Sequence, residues 1–174
     1  MIILDNSVLS AFTRLNLLSK LKELISSAMI SKDILDEYSD HLQNNFPDWI
    51  KIMEPNKEIK LETTPVSLSS ADLSLIRLGL EHRIPIASDD KPLRQFARSL
   101  GIPITGSLGL LKALFQNRII KSIKDYISLL ESLQKDLYIS EELTEWALEG
   151  LRNDEIVKKF MEKYGREWKK LGED

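Results

Sequence analysis

The segment IPIASDDKPLRQFARSLGIPITG, from Ile84 to Gly106, decides the fold. Ile84-Pro85-Ile86-Ala87 is a short apolar run between Arg83 and Ser88, the pattern of a buried strand. Ser88, Asp89 and Asp90 end it, and a helix begins at once with Pro92 in its first turn, where a missing N–H costs nothing. Leu93, Phe96, Ala97 and Leu100 fall on one helical face, and Gly101 is placed to end the helix in the left-handed conformation. IPIT then supplies a second apolar strand, closed by Gly106. A strand–helix–strand unit of this kind builds a parallel sheet through a right-handed crossover. Asp89 and Asp90 thus stand at the carboxyl end of a parallel strand, where open α/β folds place their chemistry.

Upstream, Ile2 to Leu4 predicts a short strand ended by Asp5-Asn6-Ser7. Val8, Leu9, Phe12 and Leu15 keep helical spacing, with a break expected near Asn16 and a further helical stretch through Leu21 to Ile25. Ala28 to Ile30 predicts a second strand, and Ser31 caps a helix that buries Ile34, Leu35, Tyr38 and Leu42 before Asn44, Asn45 and Pro47 end it. Trp49 to Met53 alternates like a strand, and Pro55 to Pro65 is a polar connector. Ser69 or Ser70 caps the next helix, through Leu73, Ile76 and Leu80. After the deciding segment, Ser107 to Asn117 turns Leu110, Leu111 and Leu114 inward, and another helix spans Ile123 to Leu133. This alternation predicts a three-layer α/β domain with a mostly parallel sheet. From Ser140 the chain becomes a charged amphipathic pair, with Leu143 and Trp146 marking one stripe and Ile156, Phe160, Tyr164 and Trp168 the other. The expected organisation is a domain over 1–135 and a helical hairpin over 136–174, packed on that domain or on a partner.

Composition narrows the chemistry. With no cysteine, disulfides, thiolate zinc sites and thiol nucleophiles are excluded, and two histidines, His41 and His82, argue against a histidine-built metal site. A formal charge of −3 implies no strongly charged partner, so a nucleic-acid binder of this kind must segregate its basic residues on one face. Lys91, Arg94 and Arg98 do so. They fall within about 60° on the helix leaving Asp90, opposite Leu93, Phe96 and Leu100, as a solvated face or as a set that positions phosphates. The opening MIIL meets Asp5 too soon for a signal peptide and no run approaches a membrane span, so a cytoplasmic protein with no membrane contact is expected.

The acids need weighing in turn. Asp5 follows the first strand and reads either as a helix cap or as a ligand. An aspartate shortly before a first-turn proline is a good cap, which accounts for one of Asp89 and Asp90 but not for both. Glu37 lies about 60° from Ile34, at the edge of the buried stripe, and Asp72 follows Ser69 at the spacing of a capping box. Together Asp5, Glu37, Asp72 and Asp90 supply the several carboxylate oxygens that a hard cation such as Mg²⁺ or Mn²⁺ requires, a set suited to phosphodiester hydrolysis. The rival phosphatase arrangement wants a second aspartate where Ser7 stands.

At these residues the chain resembles PIN-domain proteins, above all the toxin-type (VapC-like) members and their archaeal and bacterial relatives. The matching pieces are LDNSVLSAF at Leu4 to Phe12, ISKDILDEY at Ile30 to Tyr38, LSSADLSLIRLGLE at Leu68 to Glu81, and IASDDKPLRQFARSLGIPITGSLGLL at Ile86 to Leu111. The resemblance implies an α/β/α sandwich and an Mg²⁺- or Mn²⁺-dependent endoribonuclease of the toxin–antitoxin type. It assigns the acids to Asp5, Glu37, Asp72 and Asp90 and an auxiliary role to Asp89. Ser7 and Ser88 match the hydroxyl positions that hold such a site. RNA as substrate, a protein antitoxin and a second copy of the chain are the implied partners; a catalytically weak PIN-fold RNA-binding or scaffold protein is the alternative.

Overall fold

The computed structural model describes residues 1–38, 46–56, 58–61, 63–151 and 154–171, and for 165–171 the backbone alone. His41, Leu42, Asn44, Asn45 and the Trp168 side chain, all named above, lie outside the described set. The chain runs β1 (Ile2–Leu4), α1 (Asn6–Arg14), α2 (Leu18–Ile25), β2 (Ala28–Ser31), α3 (Lys32–Tyr38), β3 (Ile50–Met53), α4 (Ser70–His82), β4 (Ile86–Ala87), α5 (Lys91–Ser99), β5 (Ile104–Thr105), α6 (Ser107–Gln116), α7 (Ile123–Gln134), α8 (Glu141–Ala147) and α9 (Glu155–Leu171). By compactness it divides into Met1–Leu110 and Leu111–Asp174.

The first unit is an α/β/α sandwich on a fully parallel sheet of order β3-β2-β1-β4-β5. Buried on both faces, its central strands are continuous apolar runs; Ile3, Leu4, Ile30, Ile86 and Ala87 are fully buried. The local signals act as their chemistry dictates. Asn16 takes a positive φ and separates α1 from α2. Ser31 Oγ accepts from the Ile34 N–H at 3.2 Å and starts α3. After α5, Gly101 at φ +73° lets its N–H reach the Arg98 carbonyl (3.0 Å) and the Ile102 N–H reach the Ala97 carbonyl (2.9 Å), a Schellman closure. Leu100, expected inward, is instead the C-cap and is exposed, because the helix has ended before its face turns back to the sheet.

The second unit is helical. In α8 the expected Leu143–Trp146 stripe is exposed, while Thr144, Ala147 and Leu148 are buried. Its Ser140 cap and a Tyr126 hydroxyl donating to the Ala147 carbonyl (2.9 Å) set that rotation. In α9, Val157 and Phe160 are buried and Ile156 is exposed, so the buried stripe is turned from the expected one. Among the described residues no helix is long and apolar enough to cross a membrane.

Candidate active site

The strand order creates the site. The chain builds β1, β2 and β3 outward in one direction, then returns to lay β4 against the other side of β1. The sheet's topological switch therefore falls between β1 and β4, where crevices open in parallel folds. The register Leu4↔Ala87 brings Asp5 beside Ser88, and the Asp5 N–H donates to the Ala87 carbonyl at 2.9 Å.

Two serine hydroxyls then knit the strand ends together. Ser88 Oγ and Ser7 Oγ both donate to Asp5 Oδ2, at 2.6 and 2.7 Å. Each hydroxyl also accepts from a backbone amide of the turn after β4. Ser7 Oγ takes the Asp89 N–H at 3.1 Å and Ser88 Oγ takes the Asp90 N–H at 3.0 Å. Asp5 occupies the N-cap position of α1, yet its side chain makes no capping bond because the serines hold it. It is only 6% exposed. Burial pushes its carboxyl above the ordinary range and the Asp72 charge adds to this, while Ser88, Ser7 and the Asn6 amide oppose it.

Glu37, on α3, is exposed, and its carboxyl is also held above the ordinary range. Partial burial is the first cause, followed by the charges of Asp5 and Asp72, with the Asn6 side chain opposing by a hydrogen bond. Asp72 forms the capping box that its spacing predicts: it accepts from the Ser69 N–H (2.8 Å) and hydroxyl (2.9 Å), and its own N–H donates to Ser69 Oγ (3.1 Å). The Asp72 charge thus acts on both Asp5 and Glu37. Asp90 is not among the charges that shift the other two. It is the N-cap of α5, with Oδ1 accepting from the Leu93 N–H at 2.7 Å. Among the described residues, no three His, Cys, Asp or Glu side chains converge closely enough to hold a metal ion.

Asp89 turns away from Asp5. Its Oδ1 accepts from the Ser107 N–H (2.8 Å) and its Oδ2 from the Ser107 hydroxyl (2.5 Å), which anchors the start of α6. Arg94 also departs from the expected basic stripe. Its Nη1 donates to the Ser88 and Thr105 carbonyls, each at 2.7 Å, and clamps the ends of β4 and β5. Burial and the neighbouring Arg98 charge lower its pKa, and Asp89 opposes them. Lys91 and Arg98 remain exposed on the stripe. Asn6, Gly106 and Ser107 escape the sequence reading. Asn6 reads there only as a strand terminator and Ser107 only as a helix start, because their partners Glu37 and Asp89 lie far along the chain.

A family model described as DUF3368: PIN domain matches residues 1–153 of the 174. No curated protein matches the chain.

Proposed function

The chain belongs to the PIN-domain family of DUF3368, within a superfamily of nucleases, and from that starting point we propose that it is a divalent-metal-dependent endoribonuclease. One observation carries the proposal. A buried carboxylate, Asp5, sits at the switch point, held on one oxygen by two hydroxyls, with the Asp72 charge pushing its carboxyl up and the Asp5 and Asp72 charges pushing up that of Glu37. Carboxylate oxygens are the ligands that a hard cation such as Mg²⁺ or Mn²⁺ prefers, and Asp5, Glu37 and Asp72, with Asp90 at the neighbouring strand end, are the acids that would have to draw closer together to hold one.

Bound there, such an ion supplies water activation and neutralises charge on the leaving oxygen. The remaining work belongs to the chain. Ser7 and Ser88 fix the Asp5 carboxylate and, through the Asp89 and Asp90 amides, fix the turn that carries Asp90. Asn6 orients Glu37 by a hydrogen bond, and burial with the charges of Asp5 and Asp72 holds the Glu37 carboxyl above its ordinary range, which favours it as a proton acceptor. Lys91 and Arg98 contact RNA phosphates beside the site, with Arg94 supporting the turn beneath them. The setting is of the toxin–antitoxin type, with a small antitoxin as protein partner and a second copy of the chain as the other.

Cleavage of a panel of structured and single-stranded RNAs tests this reading. Mg²⁺ or Mn²⁺ should be required and Asp5→Asn or Asp90→Asn should abolish activity with the fold intact, whereas Asp89→Asn should do less. Undiminished cleavage in EDTA or by Asp5→Asn defeats it. Asp72 and Asp90 each use an oxygen to cap their own helix, and this favours, as second reading, a PIN-fold RNA-binding or scaffold protein with little catalysis. Saturable RNA binding with no cleavage under any metal would select it.

A further inference from the structure

The unit from Leu111 onward holds a cavity of about 530 Å³, lined among others by Lys112, Phe115, Arg118, Lys121, Ile123 and Glu149. That size is within the range of small-molecule sites. Its charge is unbalanced. Lys112, with a side chain only 8% exposed, pairs with Glu149 at 3.4 Å and donates to the Trp146 carbonyl at 2.6 Å, lying 4.0 Å from the centre of the Trp146 ring. Lys112 and Glu149 offset each other, which leaves Arg118 and Lys121, exposed and in no ion pair among the described residues.

Arg118 occupies a place that glycine normally takes. After α6 its N–H reaches the Phe115 carbonyl (2.9 Å) and the Ile119 N–H reaches the Leu114 carbonyl (3.0 Å), with Arg118 itself at φ +60°. A side chain in that conformation is strained. Arg118 lines the cavity. Beside it, Phe115 stacks on Tyr126 with ring centres 4.4 Å apart, and the half-buried Phe115 ring joins Ile120 and Ile123 as an apolar wall.

We propose that this cavity binds a nucleotide, its phosphate held by Arg118 and Lys121 and its planar base laid against Phe115 and Ile123. Inorganic phosphate would leave the apolar wall bare, and an uncharged apolar ligand would leave two cations unmatched. Base–aromatic contact and phosphate pairing together are how single nucleotides are held. The source is either a free nucleoside monophosphate or one nucleotide of an RNA strand. The proposal does not depend on the nuclease reading.

Calorimetric titration of the full chain in EDTA tests it, with AMP, UMP, adenosine, inorganic phosphate and a single-stranded, non-cleavable 2′-O-methyl oligonucleotide as probes. Saturable binding of the monophosphates, tighter by about tenfold or more than of adenosine or phosphate, is expected if free nucleotide is the ligand. Binding of the oligonucleotide well above the monophosphates, and weakened about tenfold or more by Lys121→Ala, assigns the site to RNA. Arg118→Gly removes the guanidinium and the backbone strain together, so it should keep or raise the melting temperature while weakening binding about tenfold or more. Lys121→Ala should weaken binding without moving the melting temperature. The proposal is overturned if neither monophosphate nor oligonucleotide saturates the protein at millimolar concentration, if adenosine binds as tightly as AMP, or if Arg118→Gly binds with parental affinity.

Discussion

Gly106→Ala isolates the packing that joins the end of β4 to the start of α6. The φ of Gly106 is outside the left-handed region, so space rather than backbone freedom requires glycine there. An added Cβ would stand 2.6 Å from Asp89 Oδ1, 2.7 Å from Arg94 Nη1 and 3.3 Å from the Ser88 carbonyl oxygen. The two nearest atoms are side-chain ends and can move, but movement breaks what they hold. Asp89 Oδ1 would leave the Ser107 N–H at 2.8 Å, and Arg94 would leave two carbonyls at 2.7 Å. A hydrogen bond with one charged partner contributes about 1.5–3 kcal/mol. Losing one on each side chain, with partial recovery from water because both are half-buried, costs about 2–4 kcal/mol. For a chain of this size that lowers the melting temperature by about 5–15 °C. In an Asp89→Ala background only the Arg94 contact remains of the two under 3 Å, so calorimetry of the double-mutant cycle should show about half the cost. If Gly106→Ala melts within about 2 °C of the parent, these contacts do not hold the turn and the reasoning fails.

Asp5 and Glu37 hold protons in the folded chain above their ordinary values of 3.8 and 4.5, so the fold loses stability as pH rises from those values through the raised ones. Asp5→Asn removes its share of that loss. The difference in urea midpoint between this variant and the parent should therefore widen with pH, and a constant difference would contradict the assignment. Mg²⁺ or Mn²⁺ should raise the melting temperature of the parent and not of Asp5→Asn. Ser88→Ala, at a fully buried position, removes the 2.6 Å donor to Asp5 and the acceptor for the Asp90 N–H, and should destabilise by about 1.5–3 kcal/mol in denaturant titration. Phe160→Ala, on the buried face of α9, should cost about 3–5 kcal/mol. Ile156→Ala on the exposed face should cost far less, and equal losses would mean the stripe is not turned as described.

Much of this protein is legible in short windows of sequence. Ile84 to Gly106 contains its strand–helix–strand unit because an apolar run, a first-turn proline and a terminal glycine act over a few residues. Ser69 with Asp72, Asp90 with Leu93, and Asn16 likewise act on their immediate neighbours, and each lies where its local chemistry places it. Helical spacing, by contrast, says which residues share a face and not which face the neighbours cover; hence Leu143 and Trp146 are exposed and Thr144 and Ala147 are buried. Arg94 and Asp89 look like solvent-facing charges until β5 and α6 arrive to offer Thr105 and Ser107. The pairing of Asp5 with Ser88 spans 83 positions, and nothing local to either residue encodes it. It exists because β4 lies against β1 rather than β3. Caps and turns are decided by contacts a few bonds away, so the sequence alone determines them. Strand order is decided by which apolar faces can be buried together across the whole sheet, and only the tertiary structure settles that.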